Sequence, residues 1–412
     1  MPLRKAVVIL LILLFQLTII VSPAMSAPQV VGEAAILLDS KTGKVLYDKN
    51  GHASMAPAST TKVLTVAVAL EAGKLDDVVT ISKTAATQEG SSIYSREGEK
   101  FTLKQLLYAV MLQSANDGAM AVAEHIGGSK EQFDELMNKK AREWGAKNSH
   151  FANPNGLPNP DHYTTAYDMA MITKHAMTNP MFRQIVSTEV IDLPRTDPQS
   201  PKRFWNHNKL IRKGGRYFYE GANGVKTGYT VEAQQCLVSS ANRKDQEFVA
   251  VVFASAGGSI WTDSQSLLDY GFANFRTVQL VAPGVSIKEV PVKGGAGRVK
   301  LVTESGLYYT LGNNEQLNPT SKIELFPEIS APIETGQKLG EVRYYREGTE
   351  IGAVSLVAEG KVAKKALARP AVVGPVLGGS AIIGGALLLG AAKRRRRRQR
   401  RYKTALNRNI FR

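Results

Sequence analysis

The chain has 412 residues, 43% hydrophobic and 21% charged, with 52 Lys+Arg against 36 Asp+Glu, a net charge of +16 and one cysteine. It is too apolar for a disordered chain, too mixed for a coiled coil or collagen, and long enough for two or three domains with cores of their own. Cys236 alone can form neither an intramolecular disulfide nor a zinc site by itself.

The charge sits at the ends. Residues 1–26 contribute +2 and residues 393–412 contribute +11, which leaves +3 of the +16 for everything between. The body is close to neutral, so the excess is no argument for a nucleic-acid partner, and the basic tail lacks the aromatic interleaving that base stacking needs. At the N-terminus, Arg4 and Lys5 precede an apolar run over 6–21 and small residues around Ala24 and Ser26. This is the layout of a signal peptide over 1–26, with an uncleaved signal anchor as the alternative; either exports the body.

Apolar runs at 34–38 and 45–47 flank Asp39-Ser40-Lys41-Thr42-Gly43-Lys44, a hairpin signal. A Ser/Thr start, apolar periodicity and Gly73 as a stop predict a buried helix over 60–72. Residues 103–113 and 115–126 predict two helices meeting at Ser114, and 133–144 and 165–177 two more around a Pro/Asn/Gly-rich loop at 153–160. Beyond Val186 the pattern changes. Residues 225–230, 236–241 and 248–254 predict a strand meander, and 264–275 a closing helix. The expected fold is α+β: an antiparallel sheet with packed helices, plus a helical lobe inserted between the first hairpin and the later strands. Short β-type runs rich in Gly and Pro over 277–366 predict a small all-β domain.

Residues 371–392 are uncharged and are followed at once by Lys393 and an arginine run. As a helix this segment would be about 33 Å long, enough to cross a bilayer. The basic tail, 393–412, then lies in the cytoplasm against anionic lipid, with the body outside. An anchor lying flat is the alternative, but the run has no polar face.

One Ser-x-x-Lys occurs in the chain, Ser59-Thr60-Thr61-Lys62. Residues three apart share a helix face, so the Lys62 amine lies over the Ser59 hydroxyl, and a serine at a helix start has free backbone N–H groups to stabilise an oxyanion. The lysine can take the serine proton only if burial or a second cation depresses its pKa. Order adds specificity. Of two Ser-x-Asn triplets, Ser240-Ala241-Asn242 sits at a strand end beside a turn, and of two Lys-Thr-Gly triplets, Lys41-Thr42-Gly43 is turn chemistry. The remaining set reads Ser59-x-x-Lys62, Ser114-x-Asn116, Lys226-Thr227-Gly228, in that order.

These three motifs are shared by serine β-lactamases and penicillin-binding proteins. The chain resembles the membrane-anchored serine-type D-alanyl-D-alanine carboxypeptidases, the low-molecular-mass penicillin-binding proteins, which have a β-lactamase/transpeptidase-like domain. The likeness extends to Met55-Ala56-Pro57-Ala58, Asp117-Gly118-Ala119, Asn153-Pro154-Asn155-Gly156-Leu157, Thr165-Ala166-Tyr167-Asp168 and Gly224-Val225 with Tyr229-Thr230. It implies domains over 27–276 (catalytic) and 277–366 (β-rich), a transmembrane helix at 371–392, and no cofactor or metal.

By the same resemblance, Ser59 attacks the penultimate D-Ala carbonyl of a peptidoglycan stem peptide and Lys62 is the general base. The backbone N–H groups of Ser59 and Tyr229 form the oxyanion hole, and Ser114 relays a proton to the leaving D-Ala. Asn116 holds the substrate amide, Lys226 and Thr227 receive the terminal carboxylate, and Gly228 lets the substrate lie along the strand. β-Lactams acylate the same serine. Many relatives carry a basic residue near the carboxylate in the stretch matching Ala256-Gly257-Gly258-Ser259-Ile260-Trp261, which here has no Arg or Lys.

Alternatives are a DD-endopeptidase that cuts cross-links, a slow serine β-lactamase, and a catalytically silent wall-binding protein. Residues 150–180 contain no glutamate to activate a deacylating water, which weighs against the lactamase. A silent protein has no physical reason to bury a lysine beside a serine. The six histidines show no metal spacing, and Cys236, Trp261 and Tyr270 read as packing residues.

Overall fold

The computed structural model describes residues 25–195 and 200–365; the expected membrane segment, the basic tail and nearly all of the expected signal peptide lie outside them. In chain order the elements are β1 (Ala34–Asp39), β2 (Val45–Lys49), a 3-10 turn (Ala58–Thr61), α1 (Lys62–Ala72), β3 (Val78–Thr80), α2 (Lys83–Ala86), β4 (Lys100–Thr102), α3 (Leu103–Leu112), α4 (Asn116–Gly127), α5 (Lys130–Glu143), α6 (Ala166–Ala176) and α7 (Pro180–Ser187). There follow β5 (Val190–Asp192), β6 (Arg203–Trp205), a second 3-10 turn (Lys209–Ile211), β7 (Ala222–Thr230), β8 (Gln234–Arg243), β9 (Gln246–Ser255) and α8 (Ile260–Asn274).

The central sheet runs β2-β1-β9-β8-β7, and every neighbouring pair is antiparallel. Its inner strands are buried on both faces, which is why β1 reads as an unbroken apolar run (AAILLD) instead of alternating. The period of two still sorts the side chains. Ala34, Ile36 and Leu38 face the helical lobe with Val249 and Val251, while Ala35 and Leu37 face Leu267 and Leu268 of α8. Helix α1 is buried from Lys62 to Ala69, so the helix that follows the nucleophile candidate is the hub of the lobe. Local signals set the lobe's joints. Thr102 and Gln105 form a reciprocal capping box at the start of α3, and Gly128 ends α4 in the left-handed region at φ 79.

The second domain contains β10 (Phe275–Val281), β11 (Ser286–Pro291), β12 (Arg298–Thr303), β13 (Leu307–Gly312), β14 (Thr320–Leu325), β15 (Lys338–Arg346) and β16 (Thr349–Ala358). Five of these form a sheet in the order β11-β12-β16-β15-β14, and β10 pairs with β13. Its core gathers Val299, Leu301, Ile333, Val342, Val354 and Leu356. The β1–β2 turn docks on it: Thr42 Oγ1 lies 2.6 Å from Thr310 Oγ1, Lys44 Nζ donates to the Thr310 carbonyl at 3.0 Å, and Thr277 Oγ1 donates to Asp39. The lysine of the first Lys-Thr-Gly triplet thus sits in a turn at the domain junction.

Two expectations differ from the structure. The segment opened by Ser59 begins as a 3-10 turn and becomes α-helical only at Lys62. Helix α8 starts four residues before the expected Ser264, because buried Asp263 belongs to its first turn and accepts from the Val31 and Gly32 N–H groups at 3.0 Å each. Within the expected β-rich region, β11 is an edge strand whose lysine, glutamate and proline break the apolar pattern.

Candidate active site

Ser59 projects from the 3-10 turn at the head of α1, where the chain is held by approaches too close for side chains. Ala58 has φ 47, in the left-handed region, a costly conformation that surrounding structure must enforce. Gly156 enforces it from one side: a Cβ there would lie 1.9 Å from the Ala58 carbonyl oxygen, and its own φ is +83. Gly228 of β7 presses from the other, its notional Cβ 3.1 Å from the Ser59 nitrogen. Gly156→Ala therefore displaces the turn; we expect at least a hundredfold loss of acylation rate and about 2–4 kcal/mol of stability. Stopped-flow acylation and urea unfolding check both.

Lys62 is fully buried. Its Nζ lies 3.0 Å from Ser59 Oγ, 2.7 Å from Asn116 Oδ1 and 2.5 Å from the Asn155 carbonyl oxygen. Burial, reinforced by the charge of Lys226 and opposed by Asp117, holds its pKa well below the ordinary lysine value. The geometry suits a neutral amine. Its two N–H bonds go to the two carbonyl acceptors, and its lone pair is left facing the serine hydroxyl.

The other expected residues divide into a wall and its backing. Ser59, Ser114, Thr227, Gly228 and Tyr229 line a cleft of about 580 Å³. Ser114, between α3 and α4, is held at φ 62. Lys62, Asn116 and Lys226 lie behind this surface, at 0%, 4% and 1% exposure. Lys226 donates to the Thr227 carbonyl at 2.9 Å, and burial pushes its pKa down to about 7. Asn116 has both amide atoms engaged: Oδ1 accepts from Lys62, and Nδ2 donates to the Glu89 carbonyl at 2.6 Å. Each amide atom keeps a second hydrogen-bonding position, so Asn116 holds the lysine without exhausting its capacity for a further amide partner. A larger cavity of about 800 Å³, lined by Ser40, Trp144, His175, Glu247 and Tyr308 among others, shares no residue with the cleft.

Two contributors had no signal of their own. Asn155 acts through its backbone carbonyl. His162, 5% exposed, accepts from the Ala152 N–H at Nδ1 (3.0 Å), so its Nε2–H donates to Thr61 Oγ1 (2.8 Å) and braces the catalytic turn. Burial, with the charges of His150, Lys62 and Lys130, pushes its pKa down to about 3. The unfolded chain takes up this proton near pH 6.5 while the native state refuses it. Stability from this group therefore falls as pH drops from 6.5 toward 3, by up to about 1.4 kcal/mol per unit. Denaturant titrations at pH 7 and 5 should give a smaller pH-dependent loss in His162→Gln than in the unmodified chain.

A serine touching a buried, deprotonatable lysine, beside a strand edge and a second serine, defines an active-site-serine enzyme that forms acyl intermediates without histidine. Residues 22–257 match the family model of D-alanyl-D-alanine carboxypeptidase, and residues 275–364 that of the penicillin-binding protein 5 C-terminal domain. The chain belongs to the D-alanyl-D-alanine carboxypeptidase family. It is 38% identical to the D-alanyl-D-alanine carboxypeptidase DacF of Bacillus subtilis over 345 residues, 81% of this chain and 86% of that protein. With DacA of Haemophilus influenzae the identity is 32%, over 80% and 84% of the two chains. Among solved structures, penicillin binding protein 5 from Haemophilus influenzae superposes with a TM-score of 0.68 at 29% identity, covering 82% of this chain and all of that one. The Streptomyces K15 DD-transpeptidase, at 31% identity and TM-score 0.56, covers 60% of this chain and is itself covered completely.

Proposed function

We propose that Ser59, Lys62 and Ser114 catalyse D-Ala release from peptidoglycan stem pentapeptides; the protein is a serine-type D-alanyl-D-alanine carboxypeptidase. The observation that carries the assignment is the Ser59–Lys62 contact, made by a fully buried amine with two carbonyl partners. Lys62 takes the Ser59 proton as Oγ bonds to the penultimate D-Ala carbonyl carbon. The developing oxyanion is met by the backbone N–H groups of Ser59 and Tyr229. When the C–N bond breaks, the proton returns through Ser114 to the departing D-Ala nitrogen, and an acyl-enzyme remains. Water then adds to the ester as Lys62 takes its proton, the C–Oγ bond breaks, Lys62 returns the proton to Ser59 Oγ, and the shortened peptide leaves as a carboxylate. β-Lactams, which place a strained amide at the same position, acylate Ser59.

Residues 27–276 form the catalytic domain in this reading and 277–366 a stalk that holds it off the membrane. The apolar run 371–392 anchors the chain, with the tail 393–412 on cytoplasmic anionic lipid and the enzyme outside; residues 1–26 direct export. Among the described residues no helix is long and apolar enough to cross a membrane, and the proposed anchor lies outside them. The test compares D-Ala release from a stem pentapeptide with conversion of a cross-linked dimer to its two stem peptides, both read by mass spectrometry. D-Ala release from the pentapeptide is expected; splitting of the dimer with no release from the pentapeptide would assign an endopeptidase.

A further inference from the structure

This inference rests on the carboxypeptidase reading: the substrate ends in a free carboxylate, and the cleft must answer that charge. The lysines nearest the chemistry are poorly suited to do so. Lys62 and Lys226 are both buried behind the cleft wall, and the Lys226 ammonium already donates to the Thr227 carbonyl. His207 lines the cleft, but burial, with the charges of Lys226 and Arg212, pushes its pKa down to about 4 and leaves it neutral at pH 7. The stretch 256–261, on the cleft rim through Gly257, Gly258 and Trp261, holds no Lys or Arg.

Lys209 is the one Lys or Arg among the described residues lining the cleft, and it is exposed. Its backbone is fixed. Buried Asn208 accepts from the Leu210 N–H at 3.0 Å, and Leu210 is buried in the core beneath the turn. Its ammonium lies 5.7 Å from the Tyr217 ring centre and 5.6 Å from that of Trp261. Those rings are 5.8 Å apart and tilted by 30°. Cation–π contact positions a charge without neutralising it, unlike a carboxylate partner.

We propose that Lys209, seated on Tyr217 and Trp261, receives the substrate's terminal carboxylate together with the Thr227 hydroxyl and sets the preference for a free-acid terminus. It supplies from the turn before β7 the charge that the loop after β9 lacks. Tyr217 and Trp261 act as positioning residues.

The test compares the full chain with Lys209→Gln and Lys209→Arg on two probes, benzylpenicillin and its methyl ester, which lacks the carboxylate. Acylation rates are read by mass spectrometry. For Lys209→Gln the rate constant with benzylpenicillin should fall about tenfold, the scale of one charge-assisted hydrogen bond, with the ester unchanged. Lys209→Arg should keep most of the rate, and added salt should slow the unmodified chain more than Lys209→Gln. On a D-Ala-D-Ala peptide the same change should raise KM more than it lowers kcat. An equal loss on acid and ester, or no loss on the acid, overturns the assignment while D-Ala release by the unmodified chain still upholds the carboxypeptidase. An unmodified chain inert on both peptide and penicillin overturns both.

Discussion

Ser59→Ala abolishes covalent labelling by penicillin and lowers D-Ala release by about 10⁴-fold or more, since losing the nucleophile of such a unit costs about as much as losing the whole unit. Nothing beside it substitutes. The Lys62 amine is fully buried with its contacts made to Ser59, Asn116 and Asn155, and Ser114 is only 4% exposed. The fold should survive, because Ser59 is only half-buried and the turn is braced independently by Thr60, whose hydroxyl donates to the Pro57 carbonyl at 2.6 Å, and by the Thr61–His162 contact. Circular dichroism and thermal melting close to those of the unmodified chain, with no burst of acyl-enzyme, are the expected readouts. A burst of normal size would remove Ser59 from the mechanism.

Lys62→Met should lower the acylation rate by about 10³-fold, within the range for loss of a general base. Lys62→Arg should be equally inactive, because a guanidinium stays charged and cannot take the serine proton. The pH profile separates base from scaffold. In the unmodified chain acylation rises with pH as Lys62 loses its proton at its depressed pKa, and the nearby Lys226 charge helps to depress it. In Lys62→Met that rise should disappear, and the residual rate should climb only where hydroxide itself begins to assist. Acylation rates from pH 5 to 10 measure this. A Lys62→Arg enzyme with near-normal rate would assign Lys62 a purely electrostatic role.

The sequence exposed the parts of this site that are side chains at fixed local spacing. Ser59 and Lys62 are legible because three residues make nearly one turn, whether 3-10 or α, and Lys226-Thr227-Gly228 because a strand edge next to a nucleophile needs a small residue. The meander was legible from its apolar runs, and the helical lobe from its periodicity and glycine stops. The parts that stayed hidden depend on tertiary approach. The Asn155 carbonyl is a backbone group that any residue could offer, and the left-handed Ala58 is forced by Gly156, 98 residues downstream in the chain. His162 reaches Thr61 across a sequence gap of 101 residues. Lys209 acquires its place only when α8 brings Trp261 beneath it. Trp261 itself read as packing; it is buried in the core and also lines the cleft. The ribbons β3–β4 and β5–β6 have three residues per strand, too short for a periodic signal.

The most direct test of the central claim is peptide mapping after trapping the full chain with a slowly released penicillin. A single acyl adduct on the peptide containing Ser59, absent from Ser59→Ala, is the predicted result. An adduct on Ser114 or another residue, or one that persists in Ser59→Ala, would contradict it.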